Sequence, residues 1–547
     1  MTPGARLRQL QRQLYEANER RIRQHVTTPR RFDRLDLDNY ERELEESVPK
    51  DFEISSPSAL RAAIRRARIV LVGDYHTLPQ SQRGFIRVLR ASRARHVIIA
   101  LEFVMARHQR AVDAYMAGRI DEATFLRRIE YKKAWPSYQV WPNFHPIFKH
   151  ARARGARILA LDCDPNECTT VFSRDAFMAW RLAEELRETP QAKAFVLVGE
   201  SHLAPSHLPL ELSRALARIG VSGSILTIHQ HLDSVYFALA DRGVEDSVDV
   251  VRLAPDRFVV PVSTPVAAQV SFLQAVTGEG PEASHAMVRS DFAGYVRMLG
   301  RLIGINTKGL LRGLTICVPG AMEPMATLAE RMDPESWRTL VSLMTSAESV
   351  CLPEYGVVYL ASLSATHMAE EAAHFLKARL AGGPTPDDPC DFFYSRILHE
   401  AVGYFGAKVF NPKRKPPYHV TVRRGEGASQ REEVSPDVAV AVHLAGLHRK
   451  LQRRRRFDRT SFDAALRGQY GLPAGLAELG PEVMRPLVHL IGYELGERVY
   501  LAFRSGKLKV HDIRRLFLTN FEEGGRAFEV FRALAMAVRS TRLPAHF

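Results

Sequence analysis

Two short segments constrain the fold more than anything else in this chain. They are Ile69-Val70-Leu71-Val72-Gly73-Asp74-Tyr75-His76 and Ala194-Phe195-Val196-Leu197-Val198-Gly199-Glu200-Ser201-His202. Each is an apolar run, a glycine, an acid, one spacer and a histidine. A short run this rich in Val, Ile and Leu reads as a strand buried on both faces. Glycine permits a sharp turn at the strand end, and the acid and the histidine project from that turn. The element is used twice, with its histidines 126 residues apart. It is the only internal repeat the sequence shows.

Three further runs have the same character: His96 to Glu102, Arg157 to Asp162 and Ser224 to His229. Helical patterns separate them. These cover Gln80 to Ala91, Arg107 to Met116, Pro142 to Arg154 (stopping at Gly155), Ser173 to Leu186 with Ser173 as N-cap, and Leu208 to Ile219 (stopping at Gly220). Such alternation predicts an α/β fold, a parallel sheet with helices on both faces and right-handed crossovers. Ligands of open α/β sheets sit at the carboxyl ends of the strands. That rule gathers His76, Glu102, Asp162, His202 and His229 along one rim.

At 547 residues the chain is expected to hold two or three domains. Residues 1–55 read as a charged N-terminal helical arm, with Leu7, Leu10, Leu14 and Ile22 on one apolar face. Residues 56–255 form the α/β domain. Residues 256–547 form a mainly α-helical C-terminal region with a break near 381–437, where Pro- and Gly-rich stretches fall at 381–389, 411–417 and 424–430. Leu253 to Ala268 contains three prolines and reads as an extended segment, with Arg257 to Thr264 leading from the sheet into that region.

The chain is 46% apolar and 25% charged, which fits a globular domain in water. No apolar run approaches the roughly 18 residues of a membrane helix, so no transmembrane segment is expected. The N-terminus is polar from Met1 and lacks an apolar signal core or lipobox, which points to the cytoplasm. Cys163, Cys168, Cys317, Cys351 and Cys390 are scattered and read as thiols of a reducing compartment. The net charge of +15 favours anionic partners only weakly. Its densest run, Arg453 to Arg456, follows a helical pattern over Val438 to Leu451 and reads as a solvated helix end. No recognition fold accompanies it, so nucleic acid is not an expected partner. A small-molecule ligand is expected, and a second copy of the chain is a candidate partner.

One further constellation lies in the helical region. His367, Glu371 and His374 share a helix face, and His399-Glu400 follow on a later helix. Inward Glu and His on facing helices is how carboxylate-bridged metal sites are built, but four contributing helices are usual there. A polar face with His–Glu pairs along it is the simpler expectation.

The α/β segment resembles the ChaN-like proteins of the haem-binding-uptake/Tiki superfamily, which also includes TraB-like proteins and erythromycin esterases. The resemblance is carried, over about residues 60–235, by Val72-Gly73-Asp74-Tyr75-His76, Ala100-Leu101-Glu102-Phe103 and Gln109 to Gly118. Trp135, Ala160-Leu161-Asp162, Arg174-Asp175-Ala176-Phe177-Met178-Ala179 and Val198-Gly199-Glu200-Ser201-His202 continue it. It implies a protein that binds haem or a divalent metal ion, or a metal-dependent hydrolase acting through the paired histidines and the glutamate. His76, Glu102 and His202 are then the metal ligands or the catalytic set. His76 would be a general base or ligand, Glu102 would orient it or a water, and Arg174 would stabilise an anionic intermediate. The family's haem ligand is a tyrosine, for which Tyr75, Tyr131 and Tyr138 are candidates. Asp74 and Glu200 would flank the cofactor. Structural alternatives exist for several residues. Asp74 and Glu200 can cap helices, Asp162 can bond the next loop, and His229 and His231 can be half-exposed strand residues. A non-catalytic scaffold with a degenerate site is a third expectation. The long helical extension and the missing lipoprotein signal set the chain apart from ChaN proper.

Overall fold

The computed structural model describes residues 2–25, 34–135, 139–164, 166–277, 281–319, 323–345, 348–352, 355–382, 386–415, 435–521 and 523–543. Tyr138 and the 424–430 break lie outside these residues. The chain divides into two compact units, one of residues 14–279 and one of residues 1–13 with 280–543.

The first unit is built on an eight-stranded sheet. Its strands are β1 (Glu53–Ile54), β2 (Ile69–Asp74), β3 (Val97–Met105), β4 (Arg157–Asp162), β5 (Lys193–Gly199), β6 (Ile225–His229), β7 (Val251–Ala254) and β8 (Arg257–Val259). The order is β1-β7-β8-β6-β2-β5-β3-β4. The six strands from β8 to β4 are parallel, as the alternation predicts. The β1–β7 and β7–β8 pairs are antiparallel. The segment expected to lead out of the sheet at Arg257 therefore joins it as β8.

Period-2 alternation on buried strands gives the sheet two apolar faces. Val70 and Val72 pack with Ile99, Leu101, Phe195 and Leu197 against the helices Pro57–Arg66, Pro79–Arg90 and Trp141–Arg154. Ile69 and Leu71 face the other way with Ala194, Val196 and Val198, under the helices Val171–Glu188 and Leu208–Arg218. Two register-adjacent residues thus serve two cores, which fixes the strand against slippage. The outer edge of β4 is closed by a side chain. Gln109 donates to the Ile158 carbonyl and accepts from the Ala160 amide, satisfying groups an edge strand would leave open.

Three local expectations are corrected. β3 does not stop at Glu102 but runs to Met105, with an irregular register between Leu101 and Met105. Thr170, not Ser173, caps the helix Val171–Glu188; Ser173 is the third residue of a capping box with it. Cys163 and Cys168 are joined in a disulfide, so only Cys317, Cys351 and Cys390 remain thiols.

The second unit is mainly helical, with a small sheet ordered β10 (Val350–Leu352), β11 (Val357–Tyr359), β9 (Thr315–Cys317). Its centre is the helix Pro389–Phe410, buried along nearly its whole length. The helices Ala365–Ala381 and Pro481–Arg504 pack on it. Close approach to the second depends on Gly492, where an added Cβ would stand 2.5 Å from Glu400 Cβ and 2.8 Å from the Ile397 carbonyl. Among the described residues no helix is long and apolar enough to cross a membrane.

Candidate functional site

Adjacent strands β2 and β5 end in register, with Asp74 opposite Gly199. The turns that follow them therefore sit side by side. β3 lies on the far side of β5, and its irregular register occurs at Glu102. Glu102 lies between the two histidines. Its Oε2 accepts from the Gly199 amide at 2.6 Å and is 3.9 Å from His76 Nε2. Its Oε1 accepts from Arg174 Nη2 at 2.7 Å and is 3.3 Å from His202 Nε2. His76, Glu102 and His202, read from separate motifs, come together at one carboxyl edge.

The two histidines are not equivalent. His202 is buried, with Nδ1 2.6 Å from Asp175 Oδ1 and 2.8 Å from the Tyr40 hydroxyl. The same hydroxyl donates to Asp175 Oδ2 at 2.6 Å. A carboxylate thus faces each ring nitrogen. Burial opposes the charged ring, but the charges and hydrogen bonds of Glu102 and Asp175 outweigh it and push the His202 pKa up to about 9. His76 keeps 25% of its side chain exposed, with Nδ1 2.7 Å from Asp74 Oδ2. Burial lowers its pKa, yet the Asp74 hydrogen bond and charge, with Glu102, leave it raised. Trp135 stands edge-on to its ring at 5.1 Å and Phe144 lies at 6.3 Å.

Arg174 ties the floor together. It is buried and gives Nε and Nη2 to Asp162 Oδ1 at 3.0 and 2.8 Å, besides its bond to Glu102. Desolvation disfavours its charge, but Asp162 and Glu102 hold the guanidinium protonated. The same pairing keeps Glu102 ionised: burial alone would raise its pKa, and His202 and Arg174 bring it well below the usual carboxylate range. Arg174 thus orients Glu102, and both guanidinium contacts to carboxylates are already made.

The strand-end acids hold structure of their own. Neither caps a helix. Asp74 binds His76 and accepts from Gln82 Nε2 at 2.6 Å. Glu200 accepts from the amides of Gln230 and His231, both at 3.1 Å, and pairs with His229 Nδ1 at 2.7 Å. Its carboxylate lies over Gly73, where a Cβ would fall 2.0 Å from Oε2; any side chain at Gly73 would displace it. Asp162 does bond the following loop, through the Cys163 amide at 2.8 Å. His229 is fully buried rather than half-exposed, because Arg257 on neighbouring β8 donates to its Nε2 at 2.8 Å. His231 is half-buried, bonded to Ser81 Oγ at 2.7 Å, with its ring 5.6 Å from that of Tyr75. Tyr75 also meets Phe272 edge-on at 6.5 Å. Tyr131, the other described tyrosine candidate, accepts from the Trp141 amide at 2.9 Å.

Sequence reasoning missed Tyr40, whose hydroxyl joins the His202–Asp175 pair and whose ring stacks on His207 at 3.7 Å. Asp175 was visible only as part of a motif.

His202 makes stability depend on pH. Its pKa is about 9 in the fold against about 6.5 in the unfolded chain. The protonated ring therefore contributes fully below about pH 6.5, and the contribution is lost as pH rises through about 9. His202→Gln should destabilise most near pH 6 and progressively less toward pH 9. Urea unfolding followed by tryptophan fluorescence checks this, since Trp135, Trp141 and Trp180 all lie in the α/β unit. A cost that grows with pH would contradict it.

The helical constellation resolves into pairs. His367 bonds its own N-cap Ser364 at 2.7 Å. Glu371 and His374 pair along the helix at 3.5 Å, and both are buried. His374 stacks on His399 at 4.1 Å, and Glu400 pairs with His489 at 3.2 Å. Among the described residues, no group of three or more His, Cys, Asp or Glu is placed to hold a metal ion, here or at the sheet edge.

Residues 60–174 match the family model described as haem-binding uptake, Tiki superfamily, ChaN. The resemblance read from the motifs therefore holds for this segment, which supplies His76, Glu102, Asp162 and Arg174. Among solved structures, the chain is similar to one described as cofacial heme binding to ChaN of Campylobacter jejuni. The identity is 14%, over 34% of this chain and 94% of that chain, with a TM-score of 0.25. No curated protein matches the chain.

Proposed function

We propose that this protein binds haem at the carboxyl edge of its α/β sheet, at the rim carrying Tyr75 and His76. The observation that carries the reading is the match of residues 60–174 to a haem-binding-uptake family, a segment that includes the turn after β2 where these two residues lie. The donor chemistry supports it. Both Glu102 oxygens, both His202 nitrogens and the Asp162 carboxylate already have partners in the buried network. The rim itself carries the half-exposed imidazole of His76 and, one residue before it, the phenol of Tyr75. Iron in a porphyrin needs only one or two axial ligands from the protein. A bare divalent ion needs three or more converging ones.

In this reading Tyr75 would hold the haem iron. His76, its orientation fixed by Asp74 as outer partners fix ligating groups, would help to hold the group. Glu200 holds the backbone from which His231 packs on Tyr75. Trp135 and Phe272, both part-exposed, would give the macrocycle aromatic surface to lie against. When bound, haem supplies the iron centre; the chain supplies its position and a dry edge.

A hydrolase reading rests on a different observation, the Asp74–His76 pair, which has the base–orienter geometry of acid–base sites. Glu102 would then hold a water near His76, and His202 would keep Glu102 in place. Arg174, already bound to two carboxylates, would position rather than stabilise charge.

Titrating the full chain with haemin tests the haem reading. A saturable Soret change at one haemin per chain is expected. No spectral change, together with ester hydrolysis that vanishes in His76→Ala at an unaltered unfolding midpoint, would replace it with the hydrolase reading.

A further inference from the structure

The basic run Arg453 to Arg456 is not only a helix end. A cavity of about 740 Å³ lies in the helical unit, lined by the end of the helix Pro436–Gln452 and the residues after it, by Pro481–Arg504, and by Arg526–Ala537 with the residues that follow. This volume falls in the range of small-molecule sites, roughly 300–1,000 Å³. Seven arginines and one carboxylate line it. Glu494 is shared by Arg449 at 3.3 Å and Arg498 at 3.1 Å. The other five arginines, Arg453, Arg454, Arg455, Arg532 and Arg539, are exposed. None of them pairs with a carboxylate among the described residues.

Two separate chain segments thus bring unpaired guanidinium groups to one cavity. Like charges held together cost free energy unless an anion offsets them. Guanidinium forks suit phosphate and carboxylate oxygens in particular. The floor is different in kind: Leu490, Ile491, Leu495 and Phe531 are apolar. At the rim Met536 is 67% exposed, the most of any large apolar side chain described. A purely inorganic anion would leave that floor unused, and a purely apolar ligand would leave the arginines uncompensated.

We infer that this cavity binds an anionic amphiphile, a molecule with a phosphate or carboxylate head and a hydrocarbon body. The head meets Arg453, Arg454, Arg532 and Arg539, and the body lies on Leu490, Ile491 and Phe531. The site lies wholly in the helical unit and does not depend on the haem reading.

Calorimetric titration of the full chain tests the inference with three probes: dodecyl phosphate below its micelle concentration, inorganic pyrophosphate, and phosphatidylglycerol vesicles. Dodecyl phosphate is expected to bind at one per chain, and pyrophosphate at least tenfold more weakly. Arg532→Glu/Arg539→Glu should weaken dodecyl phosphate at least tenfold. Ala535→Trp, which fills the cavity without changing its charge, should do the same. Arg532→Gln/Arg539→Gln replaces the charge reversal if that variant misfolds by circular dichroism. Tyr75→Phe should leave the binding unchanged. Equal binding by wild type and both cavity variants would overturn the inference, as would pyrophosphate binding as tightly as the amphiphile. Binding to vesicles alone would also overturn it, because it would make the arginines a membrane-facing surface and not a cavity.

Discussion

Arg174→Met is expected to destabilise the α/β unit by about 3–5 kcal/mol, the usual cost of removing one partner from a buried ion cluster. Glu102 and Asp162 are both nearly buried and share this one guanidinium, Glu102 having His202 besides. Without it, Asp162 stays desolvated with no cationic partner among the described residues, and Glu102 keeps only His202 and the Gly199 amide. Adding Glu102→Gln and Asp162→Asn should recover much of the loss, because the uncompensated charges are then gone. Urea unfolding at pH 7, followed by tryptophan fluorescence, measures it. A cost below about 1 kcal/mol, typical of an exposed pair, would show that water reaches the cluster.

Lys408→Met is expected to cost the helical unit a similar 3–5 kcal/mol or so. Lys408 and Glu497 are both fully buried and 3.3 Å apart. The ammonium also donates to the carbonyls of Pro412 at 2.6 Å and Arg414 at 3.2 Å. It therefore anchors the chain just beyond the central helix as well as neutralising Glu497. Lys408→Met/Glu497→Met should be much closer to wild type than Lys408→Met alone, since an apolar pair can replace a buried ionic one. The two lost carbonyl partners should leave a residual cost of about 1–3 kcal/mol. Thermal unfolding by circular dichroism separates the cases. Equal loss in the single and double variants would mean that the carbonyl bonds, not the ion pair, dominate.

The parallel centre of the sheet was legible because strands buried on both faces must be nearly continuous in Val, Ile and Leu, as Ile69–Val72 and Phe195–Val198 are. Their glycine–acid–x–histidine ends were legible because adjacent parallel strands place their ends on one rim. The antiparallel edge was not, since β1, β7 and β8 are two to four residues long and prolines flank the last two. Glu102 looked like a strand end because an acid is rarely buried in a strand; Arg174, 72 residues on, makes it tolerable. Tyr40 and Asp175 act through space on His202, and no local pattern announces a phenol on one helix that will meet a histidine 162 positions later. The same holds for His229, whose burial depends on Glu200 and Arg257. The Cys163–Cys168 bond had no second pair to mark it. The arginine run was visible, but only the fold shows that Arg532 and Arg539 join it.

We propose haem binding at the Tyr75–His76 rim. Haemin titration of three full-length variants decides whether haem binds there. Tyr75→Phe is expected to shift the Soret band and His76→Ala to weaken it less. Arg532→Glu/Arg539→Glu, in the helical unit, is expected to leave band and affinity as in wild type. Haemin binding that is unchanged by Tyr75→Phe and His76→Ala but lost on reversing the two arginines would contradict the claim and move the haem site to the helical unit.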